Sequence, residues 1–153
     1  MQKQNLSITY GATTYNGFSF EDLPLAAALQ VAIQQIDSSA DQARAGVVGD
    51  ALRVVEYQMA EDEARAFEAA GFEGAVPATV QATVDAEGVS PQSAAESILA
   101  EADAWRGAMC KIRAARLTGK QAVLGAATHA DAERLTDTAI AEIRASVAGV
   151  VNG

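Results

Sequence analysis

The chain begins with alternation and then changes period. Leu6, Ile8 and Tyr10 share one face of an extended segment, Gly11 interrupts the run, and Phe18 and Phe20 alternate again after Asn16-Gly17. Period-two patterning of this kind predicts short β-structure, with Asn16-Gly17 able to supply the positive φ angles of a tight turn. A two-stranded ribbon is marginal in water on its own, so it must lie on a body or add to a partner's sheet.

From Asp22-Leu23-Pro24 onward the apolar spacing is helical. The acid and the proline mark a helix start, and Leu25, Leu29, Ile33 and Ile36 follow at three- and four-residue steps. Ser38-Ser39 is expected to end that helix or cap the next. A second helix is expected with Val48, Leu52, Val55 and Met59 on one stripe, its start delayed by the Gly46 to Gly49 stretch, running to Ala70 with Gly71 as C-terminal cap. After a link over Phe72 to Val76, Pro77 opens a brief helix bearing Val80 and Val84, which Gly88 stops. Ser90-Pro91 starts a long helix reaching about Ala127, with Ile98, Trp105, Met109, Ile112, Leu117 and Val123 along it. Gly107, Gly119 and Gly125 are its weak points. Thr128 to Asp131 spells a capping-box variant, and Leu135, Ile140, Ile143 and Val147 stripe the last helix before Gly149. The fold class expected is mainly α, a helical bundle or extended helical hairpins with a short N-terminal β-ribbon. Residues 1–20 form the ribbon or docking arm and 21–153 the helical body.

Composition sharpens this. Hydrophobic residues make up 50% of the 153 positions but aromatics only 5%, and Ala accounts for about a quarter. Ala favours helix yet contributes little burial, which leaves few large side chains for a core and points to an oligomeric or partner interface. The net charge of −9 argues against whole-molecule attraction to nucleic acid or an anionic membrane. Cys110 is the only cysteine, which rules out an intrachain disulfide; a small buried position on a helix is expected for it. The first residues lack the apolar core of a signal peptide, and no run approaches the roughly 18 apolar residues of a membrane span, so the expected place of synthesis is the cytosol.

Catalytic chemistry has little to stand on. His129, the only histidine, lacks partners at ligand or general-base spacing and is expected at the surface. Thr118-Gly119-Lys120 has Ala114 where a phosphate loop needs an earlier glycine. No nucleophile elbow, metal spacing or dinucleotide fingerprint occurs, and the expectation is a non-enzyme with no cofactor and no metal. Two clusters are candidates for partner binding. Tyr10, Tyr15, Phe18 and Phe20 concentrate half of the eight aromatics in the ribbon. Arg106, Arg113, Arg116 and Lys120 fall close to one helical stripe in a stretch without acids, suited to an acidic partner or, less well, to phosphate; otherwise they pair within the chain, beside the acidic face of Glu61 to Glu68.

Between Phe67 and about Ala132 the chain resembles a segment of small phage and prophage proteins encoded among tail-fibre and baseplate genes. The residues that carry the likeness are Ala70 to Phe72, Val76-Pro77 with Thr79-Val80-Gln81, Pro91 to Ile98, Asp103-Ala104-Trp105, and Ile112 to Leu117 with Lys120. The resemblance implies a structural component of a phage tail, assembled in the host cytoplasm and located in the virion. Its implied partners are other tail or fibre proteins and further copies of itself. A tail-fibre assembly chaperone and a small DNA-binding regulator are the alternatives. It implies no catalytic residues.

Overall fold

A computed structural model describes residues 1–48 and 51–148. The protein is mainly α, with 71% of the chain helical and one short antiparallel sheet at the N-terminus. In chain order the elements are β1 (Leu6–Tyr10), β2 (Thr13–Phe18), α1 (Leu25–Val48), α2 (Ala51–Ala69), α3 (Ala78–Glu87), α4 (Pro91–Leu124) and α5 (His129–Ala145). They divide into two compact units, Met1–Gly46 with Ala108–Gly153, and Val47–Gly107.

Strand β1 pairs with β2 from Leu6↔Phe18 to Tyr10↔Thr13. The reversal therefore falls on Gly11-Ala12, with Gly11 at φ 60°, and not on Asn16-Gly17 as the dipeptide suggested. Gly17, at φ 75°, instead sits where the register shifts between Leu6 and Ser7, so its conformational freedom serves a bulge.

In the first unit the ribbon is part of the core. Leu6, Ile8, Phe20 and Leu23 join Val31, Ile36, Ile112, Val123 and Ile143 in one buried cluster. The Phe20 amide donates to the Lys3 carbonyl at 2.8 Å, and the Gln2 main chain exchanges hydrogen bonds with the Gln35 side chain at 2.7 and 2.9 Å. The terminal ammonium pairs with Asp137 and Lys3 with Glu133, both on α5. A boundary at Phe20 between arm and body is thus not where the compact units divide.

Helix α1 runs unbroken through Ser38-Ser39, contrary to the stop expected there. Ser39 is buried, and packing of Ile36 and Ala40 on either side outweighs the local preference of serine for caps. On α5, Ala132, Thr136, Ala139, Ile140 and Ile143 face inward. Its start is capped as expected, the Thr128 hydroxyl accepting from the Asp131 amide at 3.1 Å.

The second unit has a smaller core of Ala64, Phe67, Val80, Ala94, Ala95 and Leu99, with Phe72 edge-on to Phe67 at 5.7 Å. Proline and glycine punctuate it as predicted. Pro77 precedes α3, and Gly88 ends it in the left-handed region at φ 69°, donating its amide to the Val84 carbonyl. Glu63 of α2 reaches the start of α3 and accepts from both the amide and the hydroxyl of Thr79, at 2.9 and 2.6 Å. Helix α4 contributes its first half to this unit and its second half to the other, and remains helical through Gly107 and Gly119. Glycine is required at position 119 because a Cβ there would overlap the Ala139 methyl of α5.

Candidate partner-binding surfaces

The basic stripe resolves into separate local arrangements. Arg106 binds Asp103 at 2.9 Å and also pairs with Glu61; Arg65 reaches the same two carboxylates at 2.8 and 3.2 Å. Glu61 is only 7% exposed, so the two guanidinium groups neutralise a carboxylate that α2 would otherwise bury unpaired. Arg116 and Lys120 both converge on Asp37 of α1, at 2.9 and 2.6 Å. Burial raises the Asp37 carboxyl pKa, but the Lys120 and Arg116 contacts outweigh it and hold the group below its ordinary value. Three of the four cations are therefore engaged within the chain, Arg106 with the acidic face of α2 and the other two elsewhere. Arg113 stays exposed, as does Lys111, and neither forms an ion pair among the described residues.

The four ribbon aromatics also separate. Phe20 is fully buried, with its ring edge-on to His129 at 5.8 Å. Tyr15 is half-buried against the core and meets Phe18 edge-on at 5.4 Å. Tyr10 and Phe18 are exposed. Tyr10 and Phe18 can meet a partner without moving the ribbon, and Phe20 cannot.

Two expectations from sequence are corrected. His129 is half-buried and not at the surface: its Nε2 lies 2.9 Å from the Leu23 carbonyl, closing the junction between ribbon and α1. Cys110 is exposed, because α4 turns Ala108 and Ile112 inward and Cys110 lies on the opposite side.

Two further apolar surfaces are exposed, on α2 and on the second half of α4. On α2 the residues facing the core are Glu61, Ala64 and Phe67, and nothing between Leu52 and Ala60 is buried. Leu52, Val55 and Met59 are 78%, 66% and 53% exposed. On α4, Leu117 and Leu124 are 45% and 51% exposed, and Leu117 lines a shallow depression with Thr118, Gln121 and Ala122. Helical spacing grouped Leu52, Val55 and Met59 on one side of α2, but it added Val48, which ends α1, and it named Leu117 together with Ile112 and Val123, which α4 turns inward. Spacing alone does not say which of two faces is buried when Ala can fill the core.

Among the described residues, no group of three His, Cys, Asp or Glu side chains could hold a metal, and no helix is long and apolar enough to cross a membrane. Comparison with protein-family models, curated proteins and solved structures finds no match for the chain.

Proposed function

We propose that the chain is a structural component of a bacteriophage or prophage tail, in the baseplate or tail-fibre region, acting through protein contacts and without catalysis. The observation that carries the protein-contact part is the exposed apolar face of α2, where Val55 and Met59 project from a stretch, Leu52 to Ala60, that holds no buried residue. Apolar surface concentrated in this way is a common mark of a protein interface. The tail assignment rests on the resemblance between Phe67 and Ala132. The test is the composition of purified tailed particles from cells carrying the gene, read by mass spectrometry. Stoichiometric presence in mature particles supports the role. Presence in the lysate but not in mature particles points instead to an assembly chaperone, and copurification with DNA alone to a regulator.

A further inference from the structure

Helices α2 and α4 each present an apolar seam to solvent, and the two seams carry opposite charge. On α2, Val55, Met59, Asp62 and Ala66 are all exposed, at steps of four, three and four, on the side away from Ala64 and Phe67. On the second half of α4, Cys110, Ala114, Leu117, Gln121 and Leu124 are all exposed, at steps of four, three, four and three, opposite Ala108, Ile112, Ala115 and Val123. An alternating three-four step is the seven-residue repeat by which helices pack side by side. At 1.5 Å per residue the seams are about 17 and 21 Å long, so each can cover most of the other.

The flanks decide what each seam accepts. Within the α2 seam lies Asp62 and beside it Glu56, neither in an ion pair among the described residues, while Arg65 on the other flank is already paired with Glu61 and Asp103. Beside the α4 seam lie Lys111 and Arg113, and no Asp or Glu occurs between Asp103 and Asp131. Two α4 seams would set cations against cations, and two α2 seams carboxylates against carboxylates, both unfavourable at the edge of a helix pair. An α2 seam against an α4 seam brings opposite charges together.

We propose that the α2 seam of one copy docks on the α4 seam of a second copy, so that the protein assembles head to tail. Such an interface uses two different surfaces of each copy. Assembly therefore continues until a ring closes, at two copies or more, or a filament extends. The α2 seam is the same face that supports protein contacts above, whereas the tail assignment rests on the resemblance alone and is tested separately by particle composition.

The experiment is sedimentation of the purified full chain over a wide concentration range. Wild type should grow in mass with concentration, and added salt should weaken the association. Met59→Glu and Leu117→Glu each place a carboxylate in one seam at a solvent-facing position, and circular dichroism should show both folded. Each variant alone should sediment as a monomer. Mixed, they should form a one-to-one dimer that grows no further, because Met59→Glu retains an intact α4 seam and Leu117→Glu an intact α2 seam. Adding Arg113→Glu to the Met59→Glu copy should weaken that dimer about tenfold. A wild type that is monomeric at every concentration overturns the proposal, even if it captures an acidic helix from another protein. Self-association that survives both single substitutions also overturns it.

Discussion

The unit built from the two ends of the chain and the unit built from its middle use the same alanine-rich helices to different effect. In the first, Phe20, Ile36, Ile112, Val123 and Ile143 are fully buried, and the N-terminal ribbon closes over them. In the second, Val80 is the one large side chain among the described residues buried to that degree, and alanines supply half of the buried cluster. Burial stabilises in proportion to apolar area, so alanine contacts bring helices close without contributing much per residue. Polar contacts occur in both units; in the middle one they are the Glu61, Arg65, Asp103 and Arg106 network and the Glu63 cap on α3. Leu52, Val55, Tyr57 and Met59 on α2 face solvent.

The strongest way to break this contrast is to truncate one aromatic in each core. Phe20→Ala should cost about 3–5 kcal/mol, the range for a buried Phe. Hydrogen exchange should then rise through Leu25–Ile36 and α5 while α3 keeps its protection. Phe67→Ala should give the reverse distribution. Uniform loss of protection in both variants would mean that the two cores do not respond separately. Removal of residues 1–20 should likewise destabilise the first unit, because it takes away Leu6, Ile8 and Phe20 together.

Gly119→Ala should destabilise by about 1–3 kcal/mol, although alanine elsewhere in a helix usually stabilises relative to glycine. The added methyl overlaps Ala139, so α4 and α5 must move apart. Gly107→Ala, where a Cβ meets nothing, should stabilise, and thermal melts of the two variants should move in opposite directions.

The smallest effect expected is on acid sensitivity. The Glu63 carboxyl pKa is lowered by the Thr79 hydroxyl and amide, and that of Asp37 is held down by Lys120 and Arg116 against the opposing effect of burial. A depressed carboxylate pKa means that the unfolded chain binds protons first as pH falls. The stabilisation is thus present above the ordinary values of 4.5 and 3.8 and is lost as pH drops through the lower folded values. Glu63→Gln and Asp37→Asn should each flatten the loss of stability below about pH 5 in denaturant titrations, relative to wild type. An unchanged acid slope in both would remove these contacts from the account of stability.

Much of the element plan was legible in the residues because it is local. Pro77 and Gly88 bound α3, Ser90-Pro91 starts α4 and Thr128 starts α5, each acting on backbone groups within a few positions. The candidate surfaces were only partly legible. The basic stripe was visible, but not that Arg116 and Lys120 meet Asp37 from some eighty residues away. Nor could the pattern show that Phe20 turns inward while Tyr10 and Phe18 stay out.

The sequence by itself determined that the protein is mainly helical, that a β-ribbon precedes the helices, and where proline, glycine and capping side chains divide most of them. Local conformational preference and helical period suffice for that. Only the tertiary structure decided that α1 passes through Ser38-Ser39, that the ribbon reverses at Gly11, and that Ala64 and Gly119 lie inside while Met59 and Leu117 lie outside. Those outcomes depend on what packs opposite each helix. In an alanine-rich chain several faces are apolar enough to be buried, and close approach between backbones selects among them.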